Sequence, residues 1–452
     1  MTPRVQTTPA KPPPFLYTRL HVFILRPAAG VATFQHRDFR LLFGGSIVVG
    51  FVMPMQFLTQ IFWVQDHYPG RQVLYVGLIA ASRGSAMLLF SLIGGAFADR
   101  FERRKVLLVC ESTALGLSAI IALLMLTNPL GDWTILVLLL LTFAASANMA
   151  VDMPARTASI PAIVGMGDLS NAISLATIGQ QLAFPIAILV TGALNEQFGS
   201  GQVYAGSLLA WALILPTIAA LKFRSTGEAN RRRGMLGNIA EGLSYTRRDA
   251  TIFAVISIVV VMQFIGMPGP ATLGPVWMTT VLGLSKAQFG LMGMIWGFGT
   301  FAASFFFAYR HDLIRRGATL CFTTLMFAVC AIVFAHSRMI PLTAVANFGL
   351  GFALIGTMVS ATTIVQHTVS DEMRGRVMGL FPLAMGLAML NGAPVSGAGQ
   401  IFGLEVVLPV LAWSTLLISG AIILWRPVLR RVNPQLRASP ARQSGSHEPG
   451  PV

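Results

Sequence analysis

The sequence predicts an all-α membrane protein of twelve transmembrane helices, built as two six-helix bundles related by a pseudo-two-fold axis. Three observations predict it. Of the 452 residues, 54% are hydrophobic and only 11% charged, whereas a water-facing protein carries about 25% charged residues. Apolar runs long enough to span a bilayer, near 20 residues, occur twelve times. The basic residues sit in the gaps between these runs, and they are distributed unevenly. Lys and Arg number 28 in the tails and the loops on one side, against Arg71, Lys286 and Arg338 on the other. That asymmetry orients membrane proteins with the basic side inward, so both termini are expected in the cytoplasm.

The twelve runs lie at about 40–64, 73–97, 106–126, 133–152, 170–194, 203–222, 250–276, 287–308, 318–336, 340–366, 377–400 and 404–425. The longest interior polar segment falls between the sixth and the seventh. It carries Arg231-Arg232-Arg233, then apolar residues at 235, 236, 239, 240 and 243. This spacing is helical, so a basic linker with an amphipathic helix on the membrane surface is expected. The chain then divides into a cytoplasmic tail (1–38), a first bundle (39–222), the linker (223–249), a second bundle (250–425) and a second tail (426–452). The stretch 308–317 echoes 98–104, as a diverged repeat of the two halves would.

Composition also excludes. The net charge of +15 follows from the loop asymmetry, and nucleic-acid binding is not expected. Cys110, Cys321 and Cys330 all lie in apolar runs and read as small core residues without disulfides. No phosphate loop, no metal-spaced His/Cys cluster and no cleaved signal peptide are seen in the sequence, so neither a cofactor nor a metal is expected.

Four stretches carry a family signature. Gly95-Ala96-Phe97-Ala98-Asp99-Arg100-Phe101-Glu102-Arg103-Arg104-Lys105 joins the second and third runs. Asp152-Met153-Pro154-Ala155-Arg156-Thr157 ends the fourth, Asp371-Glu372-Met373-Arg374-Gly375-Arg376 leads into the eleventh, and Phe39-Arg40-Leu41-Leu42 into the first. Together, over about 36–425, they resemble the major facilitator superfamily, in the branch of enterobactin exporters and macrolide efflux pumps. The chain departs from antiporter patterns in the fifth run, where Ala183-Phe184-Pro185 stands in place of a Gly-Pro pair.

The resemblance implies alternating access and a conformational latch on the cytoplasmic face. The latch would join Asp99 to Arg156 and to the start of the eleventh helix near Arg376, with Gly95, Arg100, Arg103, Arg104 and Asp152 around it. From the residues alone, Asp99 reads equally as a solvated loop acid. Asp152 and Arg156, at i and i+4, read equally as a local pair. Arg100, Arg103, Arg104 and Lys105 serve topology on that reading.

Other candidates lie inside the runs. Arg83 is near the midplane, where an arginine costs at least ~2.5–3.5 kcal/mol and has to face a cavity or a partner. It is expected to bind a polar or anionic group of the substrate, unless neighbouring helix carbonyls or amides hold it. Gln56, Gln60, Asn148, Gln180, Gln181, Gln263 and Asn347 mark a polar cavity or interhelical hydrogen bonds. Glu111 is a candidate for proton coupling, although the resemblance puts its helix at the periphery of the cavity. It and Asp152 read as separate sites.

The function expected is secondary active transport, with proton-coupled efflux of a siderophore or antibiotic. Import of a siderophore or nutrient is the alternative, and an enzyme acting on lipid within the membrane is a more distant one. The expected partners are the small-molecule substrate, protons and the lipid bilayer, and the protein is expected as a monomer. Its expected location is a bacterial inner membrane.

Overall fold

The computed structural model describes residues 33–223, 235–309 and 316–426. Among them are twelve helices of spanning length: α1 (Arg37–His67), α2 (Gln72–Arg100), α3 (Arg103–Thr127), α4 (Gly131–Gly165), α5 (Gly167–Phe198), α6 (Ser200–Ala219), α7 (Ala250–Val281), α8 (Lys286–Tyr309), α9 (Arg316–His336), α10 (Ile340–Thr368), α11 (Asp371–Phe402) and α12 (Leu404–Trp425). With no water in the bilayer core, each span bonds its own backbone internally, and helices do this. The expected amphipathic helix spans Met235–Arg248. Residues 1–32 and 427–452 of the tails, Arg231-Arg232-Arg233 of the linker, and most of the stretch 308–317 that echoes 98–104 lie outside the described residues.

Three local differences from the sequence expectation have physical causes. The fourth run was expected to end at 152, but α4 continues through Arg156 to Gly165. The two charges of opposite sign at 152 and 156 pair with each other, so they need not leave the helix for water. The break comes at Gly165, where φ is +71°, a conformation glycine adopts readily and other residues resist.

The second difference is in α7, which runs to Val281 through wide turns of the i→i+5 type at 262–266, 268–273 and 277–281. Pro268, Pro270 and Pro275 lack the N–H that an α-turn needs, and Met267 N–H donates instead to the Met262 carbonyl (2.8 Å).

The third concerns the face of the linker helix. Ala240 and Leu243 are exposed, while Gly242, Tyr245 and Thr246 face the second bundle. Gly242 allows this, because a Cβ there would stand 2.8 Å from the Arg376 carbonyl oxygen.

The apolar cores show how the two halves meet. At the end of the bundle carrying Lys286, one continuous core crosses between them. It joins Phe62 and Trp63 of α1 and Val76 of α2 to Trp277 of α7 and Met292 of α8. At the opposite end, which carries Arg103 and Arg376, there are two separate cores. One is confined to the first six spans, around Phe39, Leu107 and Ile214. The other is confined to the second half, around Ile252, Ile364 and Phe381. The halves therefore close on each other at the Lys286 end and have separate cores at the Arg103 end.

Candidate functional site

Two seams make the closure, α2 against α11 and α5 against α8. Glycines bring the backbones close, as in membrane helix pairs generally. A Cβ at Gly84 would stand 2.6 Å from the Leu390 nitrogen, and one at Gly290 would stand 2.9 Å from the Leu189 carbonyl. Polar bonds between the halves cap the seams. Lys286 Nζ pairs with Asp66 (2.6 Å) and lies over the Phe62 ring (5.7 Å). Thr279 donates to the Gln65 side-chain oxygen (2.8 Å), and Gln400 donates to the Gly70 carbonyl (2.5 Å). The sequence counted Lys286 only as a loop charge.

Away from this end the seams stop. Leu88 still meets Gly386, and Pro185 meets Gly297. Beyond them Gln181 of α5, Phe301 and Phe305 of α8, and Met385 of α11 are exposed. On α5, Ser170, Ser174, Thr177 and Gln181 form an exposed stripe at i, i+4, i+7 and i+11, one helical face. The hydroxyls of Ser174 and Thr177 bond back to Ser170 (2.8 Å) and Ile173 (2.9 Å) carbonyls. A polar stripe across a span belongs against water and not against hydrocarbon. The stripe lies beside Ala172, in the separate core of the first half at the Arg103 end.

Arg83 does not point into the seam. Successive helical residues are turned by about 100°, so while Gly84 packs on α11, Arg83 turns into the first bundle. It lines a cleft with Gln56 and Gln60 of α1, Ser118 of α3, Thr142, Ser146 and Asn148 of α4, and Tyr204 of α6. Every lining residue of this cleft comes from the first six spans. Arg83 therefore lies within the first bundle, facing this cleft. The guanidinium carbon lies 4.7 Å over the Phe57 ring. Among the described residues no carboxylate pairs with it. The open volume is about 30 Å³, room for a water or two and no more.

The amides around the cleft are tied to other helices. Gln56 donates to Ser118 (3.1 Å) and Ser207 (2.9 Å), Gln60 to Tyr204 (3.5 Å), and Asn148 to the Cys110 carbonyl (2.8 Å). Thr142 donates to the Gln60 oxygen (3.4 Å). Gln180 is half-buried against Gly50, and Gln181 is on the exposed stripe. In the second half, Gln263 and Asn347 are buried, each with one side-chain polar atom that has no hydrogen-bond partner among the described residues.

Further along α3 and α4, outside the lining of this cleft, lies a cluster of three charges. Ser118, Ala114 and Glu111 share one face of α3, and Ser146, Met149, Asp152 and Arg156 share one face of α4. Arg156 donates through Nε to Asp152 (3.1 Å) and through Nη2 to Glu111. All three side chains are within a few per cent of complete burial. The expectation of two separate acid sites was wrong: packing of α3 on α4 brings Glu111 to the same guanidinium. Among the described residues, Glu111 Oε2, Asp152 Oδ1 and Arg156 Nη1 have no hydrogen-bond partner. One positive charge thus faces two carboxyl groups.

The remaining latch candidates are distributed as follows. Gly95, Asp99 and Arg100 end α2, and their side chains lie outside the described residues. Arg103 and Arg104 bond the carbonyls of Ala158 (2.7 Å) and Ala219 (2.7 Å), tying the start of α3 to the ends of α4 and α6. Arg376 pairs with Glu241 of the linker helix (2.5 Å), within the second half of the chain. Among the described residues no three His, Cys, Asp or Glu side chains are grouped as a metal site would require. Tyr204, Ser118, Ser207 and Asp66 were not singled out from the sequence. A tyrosine inside an apolar run was the available signal for the first of them.

Comparison with known proteins agrees with this architecture. A family profile of the major facilitator superfamily, described as transmembrane secretion effector, matches residues 28–447. The multidrug efflux pump Tap of Mycobacterium tuberculosis is 23% identical over 82% of this chain and 89% of its own length. The enterobactin exporter EntS of Escherichia coli is 23% identical, over 83% and 89%. Among solved structures, the nucleoside transporter NupG superposes with a TM-score of 0.69 over 88% of this chain and 100% of its own, at 13% identity. A peptide transporter POT variant gives 0.70 over 87% and 95%, at 12% identity. These relatives are transporters and not enzymes, and the twelve apolar helices with bacterial relatives make this a multi-pass protein of a bacterial inner membrane. The chain belongs to the transmembrane secretion effector family of the major facilitator superfamily.

Proposed function

We propose that this transporter exports an amphipathic organic molecule, of the siderophore or antibiotic class, in exchange for protons. The observation that carries the proposal is the buried Glu111–Arg156–Asp152 cluster of the first bundle, in which one guanidinium meets two carboxyl groups. With both acids ionised the cluster holds one negative charge in excess, in a region where charge is costly. A proton on either acid removes that excess. The cluster can therefore exist in two charge states, as proton coupling requires. The names of the relatives Tap and EntS support export.

The orientation belongs to the same proposal. With 28 basic residues on one side and 3 on the other, the Arg103 end faces the cytoplasm. The state described is then closed outside and open inward, ready to load cytoplasmic substrate. The cleft at Arg83 is too small for a whole molecule, so in this state it would take only one anionic or oxygen-bearing group. The division into 39–222 and 250–425, joined by 223–249, is the natural rocking unit for such a cycle. The amides of the cleft, with Gln180, Gln181, Gln263 and Asn347, would supply polar contacts.

The test is uptake into inverted membrane vesicles with an imposed acid-inside gradient. Accumulation that collapses with a protonophore is expected, and gradient-independent uptake would overturn proton exchange. In the same assay Glu111→Gln should allow downhill movement of substrate but lose accumulation driven by the gradient. The Arg156–Asp152 pair remains in that variant, so abundance should hold.

Arg83 tests substrate chemistry. With an acidic probe such as enterobactin, Arg83→Gln should weaken uptake about 10- to 150-fold, the value of one charged hydrogen bond of ~1.5–3 kcal/mol. Arg83→Lys should fall between it and the native protein, since an ammonium keeps the charge and loses the planar fork. Equal uptake by all three at matched abundance would remove Arg83 from the site.

The latch is proposed for the opposite state, closed on the cytoplasmic side. There Asp99, with Gly95, Arg100, Arg103, Arg104 and Asp152 around it, would reach Arg156 and the start of α11 near Arg376. Asp99→Asn should leave abundance unchanged and lower transport several-fold. Native transport rates in that variant would show Asp99 to be a solvated loop acid.

A further inference from the structure

We propose that the junction of the linker helix, α7 and α12 is a binding site for the headgroup of an anionic phospholipid. A cleft of about 290 Å³ opens there, lined by Arg247 and Arg248 at the end of the linker helix, Ala250 and Phe253 in the first turn of α7, and Arg426 just past α12. Three guanidinium groups line it, two from the end of the linker helix and one from the end of α12. Among the described residues no carboxylate pairs with any of them. The nearest acid in sequence, Asp249, caps α7 instead, accepting from the Thr251 (2.8 Å) and Ile252 (3.1 Å) N–H groups. Counting it, the cleft still carries two positive charges in excess.

The depth in the membrane selects the ligand. The apolar span of α7 begins at Ala250 and that of α12 ends at Trp425. Trp425 is almost fully exposed, as tryptophans are where hydrocarbon gives way to headgroups. Arg247, Arg248 and Arg426 therefore stand at the level of lipid phosphates. Phe253, one turn further along α7, is exposed toward the hydrocarbon. A phosphate over the arginines and an acyl chain along Phe253 would fill the site from both sides. Arginine forks suit phosphate oxygens geometrically, and basic pockets between spans on this face of a membrane take anionic headgroups. The linker helix is itself held to α11 by Glu241–Arg376 (2.5 Å), so a lipid here would brace the linker against the second bundle.

The test uses the full-length protein, purified in detergent and titrated with phosphatidylglycerol or phosphatidylcholine, with bound lipid counted by native mass spectrometry. Preference for phosphatidylglycerol is expected. The triple variant Arg247→Gln, Arg248→Gln, Arg426→Gln should lose that preference by roughly 100-fold or more, at about five-fold for each arginine near a membrane surface. A control variant removes the same charge elsewhere on this face: Arg40→Gln, Lys105→Gln, Lys222→Gln. An equal loss in both triple variants would mean diffuse attraction and would overturn the site.

Phe253→Ala separates a lipid from free phosphate. It should weaken phosphatidylglycerol several-fold without changing competition by inorganic phosphate. If it changes nothing, while phosphate displaces the lipid completely, the site is one for a free anion and the lipid assignment fails. If the arginine variant is poorly folded, the single variants Arg247→Gln and Arg426→Gln decide, each expected to lower affinity about five-fold.

Discussion

Replacing Arg156 with leucine is expected to collapse the abundance of the protein in the membrane. The substitution keeps the bulk but removes the positive charge between Glu111 and Asp152, both of which are buried. Removing one partner from a buried ion pair costs about 3–5 kcal/mol, because the remaining charge is left uncompensated. Here two carboxyl groups would be left, close to one another, in a region that water reaches poorly. Fluorescence-detected size-exclusion of a tagged protein would show a lost or shifted main peak. Adding Glu111→Gln and Asp152→Asn to Arg156→Leu should restore part of the peak, since neutral amides carry no charge to be compensated. A normal peak for Arg156→Leu alone would mean that the three groups do not depend on one another.

Gly77→Val is expected to act on conformation and not on folding. A Cβ at Gly77 would overlap Ser396 and the backbone oxygen of Gly392 on α11, and no side-chain rotation relieves a clash with backbone. Gly192 in the other seam is equivalent, with a Cβ there 2.8 Å from Gly290 Cα. Each half keeps its own core at the Arg103 end, so the variant should fold with the halves parted at the Lys286 end. Overpacking of this kind costs ~1–3 kcal/mol, which is roughly a 5- to 150-fold change in the ratio of two states. The readout is labelling of Thr279→Cys by a membrane-impermeant thiol reagent, since Thr279 is bonded to Gln65 across the closure. Faster labelling in the Gly77→Val background, with reduced transport, is expected. Unchanged labelling would mean that the seam does not limit opening.

The sequence determined the fold class and most element positions, because a bilayer tests each segment for length and apolarity, and both are local properties. The twelve runs, the linker helix and the family signature were all legible for that reason. One error came where a charge was taken as the end of a span. Asp152 and Arg156 stay within α4 because each cancels the other, and composition alone does not report pairing.

Only the tertiary structure decided which polar groups meet. Glu111 and Arg156 are 45 residues apart, on helices whose rotation about their axes is set by packing. A turn of about 100° per residue sends Gly84 to α11 and Arg83 into the first bundle, and hydropathy does not encode that choice. The same holds for the closed end. Asp66 and Lys286 lie on different halves, 220 residues apart, and they pair only because glycines let the seams between those halves close.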